Sequence, residues 1–213
     1  MKLYVSNSDE SVRMFKNDIL EFFSHVHPSV PAILYLPVVG YMFYRSAITG
    51  ISLYYVFALF VLGVIVWSFT EYTLHRFVFH LVPKNEFGKK IHFMFHGVHH
   101  DYPNDSTRLV MPPAVSIPLA LLFYFLFMKI LGAHYVPPFF AGFIGGYLTY
   151  DLTHYAVHHF GLKGKVTLYL KQHHMRHHYM APDTNYGVSS PAWDFIFGTY
   201  LKRQKQESAT AQR

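Results

Sequence analysis

The sequence predicts an all-α integral membrane protein, and three observations point there. The chain of 213 residues is 52% hydrophobic and 19% aromatic but only 14% charged, against about 25% charged in an ordinary soluble domain. Its apolar residues gather in four runs, roughly Val30 to Tyr44, Leu53 to Thr70, Val115 to Met128 and Val136 to Tyr150. Basic residues crowd the segments on one side of these runs and leave the other side nearly neutral. A helix needs about 20 largely apolar residues to cross a bilayer, so about four transmembrane helices are expected.

Residues 1–27 carry Asp9, Glu10, Arg13, Lys16, Asp18 and Glu21 ahead of the first apolar run. No signal peptide is visible there, and the segment is expected to form a surface helix at the membrane interface. Residues 28–203 are expected to form one membrane domain. Its second and third runs are the clearest spans, while Pro31 and Pro37 interrupt the first and Pro137 and Pro138 the fourth.

Lys84, Lys89, Lys90 and Arg108 lie between the second and third runs; Lys163, Lys165, Lys171, Arg176, Lys202, Arg203 and Lys205 follow the fourth; Lys2, Arg13 and Lys16 precede the first. The opposite connections offer only Arg45 and Lys129. Positive residues favour the cytosolic side, so both termini and the two long basic segments are expected there, as a cytosolic helical cap. The net charge of +6 follows this asymmetry and is no nucleic-acid surface. The tail at 204–213 is polar, lacks apolar anchors and is expected to be disordered. Cysteine is absent, which excludes disulfides, thiolate ligands and iron–sulfur clusters.

The chemistry is concentrated in histidine. Thirteen of the 16 histidines fall in four clusters on the cap side. His75 and His80 are followed by His96, His99 and His100; His154 and His158 are followed by His174, His177 and His178. The offset from His75 to His154 is 79 residues, and from the first His-x-x-His-His to the second it is 78. Positions i, i+3 and i+4 share one helix face, so each such cluster aims imidazoles into a common space, as do His154 and His158. His75 and His80 are about 140° out of phase on an ideal helix. They are expected to serve different metals or to straddle a helix end or a distortion.

His92, His159 and His173 sit inside the clusters but outside the repeat, and His25, His27 and His134 read as ordinary structural histidines. Glu71 and Asp151 end apolar runs just before His75 and His154, where a carboxylate either orients a ligand ring or marks the membrane boundary. Ten imidazoles exceed the positions around one ion, so a dinuclear centre is expected. Zinc has no redox chemistry and favours closed structural sites. Two iron ions fit better beside lipid, with zinc admitted as a substitute in a purified sample.

Glu71-Tyr-Thr-Leu-His75-Arg-Phe-Val-Phe-His80, His96-Gly-Val-His99-His100, Arg108-Leu-Val-Met-Pro-Pro113, His154-Tyr-Ala-Val-His158-His159, His174-Met-Arg-His177-His178 and Asn185-Tyr-Gly-Val-Ser-Ser-Pro-Ala-Trp193-Asp194 together resemble the membrane fatty acid hydroxylase superfamily, most closely its fatty acid 2-hydroxylase branch. The resemblance runs from about Trp67 to Tyr200. It implies a four-span helical protein with a cytosolic cap and a dimetal centre whose ligands are His75, His80, His96, His99, His100, His154, His158, His174, His177 and His178.

The implied reaction is dioxygen-dependent hydroxylation of a lipid acyl chain, most closely at the 2-position, by a non-haem diiron monooxygenase. Eukaryotic members of the branch often carry a fused haem-binding donor, and about 27 residues precede the first run, so a separate electron-transfer protein is expected. The short core also suggests a bacterial inner membrane ahead of an endoplasmic reticulum. Arg108 is a candidate for meeting a lipid headgroup or carbonyl, and Tyr102, Tyr155 and Tyr186 are candidates for lining the cavity mouth. A desaturase or a sterol or carotenoid hydroxylase of the same superfamily is the nearest alternative. A membrane metal transporter is the alternative of a different class, although its ligands belong near the bilayer midplane.

Overall fold

The computed structural model describes residues 3–201, and every regular element among them is helical. The tail at 204–213 and Lys2, Lys202, Arg203 and Lys205 lie outside the described residues.

Helix α1 spans only Asp18–Ser24, where the Asn17 side chain accepts from the backbone N–H groups of Ile19 and Leu20. The polar residues before it do not form the expected surface helix. The N–H groups of Met14 and Phe15 donate instead to the Glu21 carboxylate, at 3.0 and 2.8 Å. Helix α2, Ser29–Ile48, follows after a bend of 69° and carries the first apolar run. Pro31 falls in its first turn, where a missing N–H leaves nothing unpaired.

Helix α3 spans Leu53–Leu74 and continues into a π turn, His75–Phe79. Helix α4, Glu86–His92, is capped by Asn85 and runs through a second π turn, Phe93–Gly97, into the short α5, Val98–Asp101. The third and fourth apolar runs belong to one helical stretch, α6, Pro113–His159, broken at Gly132 (φ 74°, ψ 168°). That positive φ is natural only for glycine, and it folds α6 back on itself. The ring of Phe127 consequently lies 4.8 Å from Phe139 and 5.0 Å from Phe143, and Tyr124 lies 5.1 Å from Phe140. Helices α7, Lys165–Tyr179, and α8, Ala192–Ile196, follow.

Two stretches, Leu53–Phe79 and Pro113–His159, are long and apolar enough to cross a membrane, and α1 with α2 makes a third if counted as one bent span. The core lies where α2 and α3 pack on α6, around Trp67, Phe127, Phe139, Phe143 and Tyr147. Helices in lipid gain little from hiding apolar surface and associate by close packing of small residues. Gly142 meets that demand: a Cβ there would stand 1.9 Å from the carbonyl oxygen of Phe60 on α3. Phe57, Leu122 and Phe125, by contrast, face outward.

Candidate metal centre

The end of α3, the end of α6, the α4–α5 region and α7 bring all ten repeated histidines together in two groups of five. One group is His75, His80, His96, His100 and His177; the other is His99, His154, His158, His174 and His178. Within each group one ring nitrogen per residue lies within 4.8 Å of all the others. In the first, His96 Nε2 stands 3.1 Å from His75 Nε2, 3.2 Å from His80 Nε2 and 3.0 Å from His100 Nε2. In the second, His154 Nε2 is 2.9 Å from His99 Nε2, and His174 Nε2 is 2.9 Å from His158 Nε2 and 3.1 Å from His178 Nε2.

Membership does not follow the sequence repeat. Shifting the first set along the repeat carries His75, His80, His96 and His100 onto His154, His158, His174 and His178, and His99 onto His177. His99 and His177 have changed places between the groups. That exchange converts one group into the other under the repeat, so the two groups correspond to each other residue for residue. The i and i+4 members of each His-x-x-His-His face one site, and the i+3 member reaches the other.

His75 and His80 join the same group, so of the two alternatives the distortion at a helix end holds and the assignment to different metals does not. The π turn is the reason: its five-residue closure, with His80 N–H donating to His75 O at 3.1 Å, brings residues five apart onto one face.

Burial and mutual repulsion set the electrostatics. Burial, then the neighbouring imidazoles, hold His96, His99, His100, His174, His177 and His178 well below the ordinary histidine pKa. His80, at the more open edge, is lowered to about 4, mainly by burial. The rings are therefore neutral at physiological pH, the form that binds metal. The His75 Nδ1–H donates to the Tyr186 carbonyl at 2.5 Å and the His177 Nδ1–H to the Thr184 carbonyl at 2.7 Å, which leaves each Nε2 lone pair facing its group. Converging neutral nitrogens without a charged ligand suit a borderline transition metal such as iron or zinc.

The remaining candidates are placed as follows. Among the described residues Glu71 makes no hydrogen bond to a group histidine; its Oε1 accepts from the N–H groups of Val188 and Ser189 at 2.7 and 2.9 Å, and its Oε2 from the Ser189 hydroxyl. Asp151 Oδ2 accepts from Met111 N–H at 3.3 Å. Arg108, expected to face lipid, is turned inward with a side chain 3% exposed. It donates to Glu21 Oε1 at 2.6 Å, to Ser24 Oγ at 3.3 Å and to the Val12 carbonyl, tying the N-terminal segment to the stretch before α6. Of the three tyrosines, Tyr186 stands beside the first group, its ring 5.3 Å from His80 and 5.7 Å from His75 and His177. Tyr155 stacks on His159 at 4.6 Å.

The residue that spacing did not single out is Asp194. Fully buried, it faces His173 Nε2 at 3.0 Å and accepts from the N–H groups of Tyr186 and Gly187 at 2.8 and 2.9 Å. A signal was present: Val110, Pro113 and Ala114 recur as Val188, Pro191 and Ala192 at the histidine offset of 78. The repeat thus extends past the histidines into the loop that Asp194 organises.

The family model for fatty acid hydroxylases matches residues 60–199, a stretch that contains every one of the ten histidines. The chain belongs to the fatty acid hydroxylase family. Among its relatives is the dihydroceramide fatty acyl 2-hydroxylase FAH1 of Arabidopsis thaliana, 39% identical over 89% of this chain and 80% of that protein. The fatty acid 2-hydroxylase of Rattus norvegicus is 35% identical over 91% of this chain and 58% of its own length. A solved structure described as full-length scs7p, with only the hydroxylase domain visible, superposes with a TM-score of 0.80 at 37% identity, covering 88% of this chain and 71% of that one. These relatives come from a plant and a mammal. They lend no support to the expected bacterial inner membrane.

Proposed function

We propose that this hydroxylase inserts one oxygen atom of dioxygen into a C–H bond of a lipid acyl chain, at the carbon next to the carbonyl, using two iron ions held by the two histidine groups. The other oxygen atom leaves as water, and two electrons and two protons enter from a separate electron-transfer protein and from solvent. The single observation that carries this reading is the pair of buried, neutral five-histidine groups within a fatty acid hydroxylase fold. The names of the relatives supply the acyl chain and the 2-position.

When bound, the metals supply the reduction of dioxygen, which no side chain here performs. The protein's own residues hold and shield. The carbonyls of Thr184 and Tyr186 keep protons on Nδ1 of His177 and His75, so their Nε2 atoms stay free as ligands. Eight of the ten group histidines are buried, and His80 and His100 are partly so, which keeps bulk water from the reacting carbon. In this reading α2, α3 and the two legs of α6 make four crossings with the cap on the cytosolic side, so that the substrate reaches the centre from the membrane.

Lipid mass spectrometry of cells expressing the protein tests the reaction. The expected product carries the mass of one extra oxygen at the second acyl carbon; loss of two hydrogens would instead mean desaturation, and unchanged lipids with altered metal uptake would mean transport. His177→Ala abolishes the oxidation, and retained turnover would remove His177 from the ligand set.

A further inference from the structure

We propose that Asp194, together with Glu71, is a positioning residue for one of the two metal positions: the two carboxylates clamp the loop at 184–189, whose Thr184 and Tyr186 carbonyls orient His177 and His75. The inference rests on the metal-dependent reading above and adds to it which ion depends on which loop.

Four consecutive backbone N–H groups end on these two carboxylates. Tyr186 and Gly187 donate to Asp194, and Val188 and Ser189 donate to Glu71. A buried carboxylate is tolerated only when its lone pairs are filled. Asp194 fills its own with the two N–H groups, the Thr199 hydroxyl at 2.7 Å and the His173 ring at 3.0 Å. Burial alone raises its pKa, and these donors outweigh that and hold it below the usual carboxylate value.

The loop is thus fixed from its N–H side, which fixes where its carbonyls point. Asn185, at φ 56°, turns the chain between the two carbonyls and is itself anchored by accepting from Leu201 N–H at 2.8 Å and donating to the His173 carbonyl at 3.2 Å. Neither carboxylate touches a group histidine among the described contacts. Both act one step removed, through the peptide units on which His75 and His177 rest. These two rings belong to the same group, so the clamp serves the position formed by His75, His80, His96, His100 and His177. The related loop of the first repeat meets a lighter hold, one N–H of Met111 on Asp151 at 3.3 Å.

The test is chelator challenge of the full-length, metal-loaded protein in detergent, with ions per chain counted by elemental mass spectrometry. Wild type is expected to carry two ions. Asp194→Asn is expected to hold one of them more weakly, by up to the factor of about 10–100 that follows removal of a ligand's own hydrogen-bond partner, and the other as in wild type. Adding His80→Ala to Asp194→Asn then lowers the count no further, whereas adding His158→Ala removes the remaining ion. Equal weakening of both ions, or of neither, overturns the proposal. A wild type that never carries two ions defeats the dimetal reading itself, a distinguishable result. Ser189→Ala and Thr199→Val, which trim one hydrogen bond each from the clamp, keep the test alive if Asp194→Asn does not fold. Both are expected to weaken the same single ion, and unchanged affinity in both folded variants overturns the proposal.

Discussion

At the scale of single residues, a repeated His-x-x-His-His does two jobs at once. His96 and His100 serve one site while His99, between them, reaches the other; His174, His178 and His177 do the reverse. His99→Ala and His177→Ala are therefore expected to deplete different ions, each belonging to the opposite repeat. Double variants read by metal counting check this: His99→Ala with His158→Ala retains one ion, and His99→Ala with His80→Ala retains none.

The lowered pKa values give a pH dependence with a definite sign. The metal-free folded protein keeps these rings neutral below the ordinary value of 6.5, down to about 4 for His80, while the unfolded chain takes up protons there. Stability of the metal-free form is present in full above 6.5 and falls as pH drops from there through the folded values. Thermal unfolding of metal-free protein between pH 7.5 and about 5 is expected to show a falling midpoint; a midpoint that holds or rises on acidification contradicts it. The convergence of the ten histidines was legible from residue type and spacing alone. Arg108 was not, because a basic residue beside Pro112 and Pro113 at a span start reads as an anchor, whereas its real partners lie far back in the chain, at Val12, Glu21 and Ser24.

At the scale of elements, the two repeats differ by one residue. His154 and His158 are four apart and helical, whereas His75 and His80 are five apart, and the π turn absorbs the extra residue. Deleting Val78, which is 54% exposed, is expected to convert that turn to α-helix and leave both ions bound. Loss of the first group's ion on metal analysis would contradict that account.

The α3–α6 crossing depends on small side chains. Gly142→Ala places a methyl against the Phe60 carbonyl and is expected to destabilise the protein by about 1–3 kcal/mol, read as a lowered midpoint in detergent. The apolar runs were legible because lipid demands them. So was the reversal between the third and fourth runs, which the positive φ of Gly132 makes in the short connection between them.

For the molecule as a whole, the duplication explains both the symmetry and its flaws. Each repeat carries a carboxylate in the last part of a long helix, Glu71 or Asp151, that accepts backbone N–H groups from the loop of the other repeat. The loops are thereby exchanged in the same sense as His99 and His177, and neither half completes a site alone. The histidine offsets made the duplication visible in the sequence. The exchange was hidden, because spacing reports which face a residue occupies and says nothing of which half of the molecule that face meets. The N-terminal segment, held by Asn104 and Tyr179 on Asn7 as well as by Arg108, lies outside the repeat.

The measurement that bears most directly on the central claim is anomalous X-ray scattering from crystals of the iron-loaded protein. Two metal peaks per chain are expected, one ringed by His75, His80, His96, His100 and His177, the other by His99, His154, His158, His174 and His178. A single peak, or two peaks whose ligands divide by sequence repeat without the exchange of His99 and His177, would contradict it.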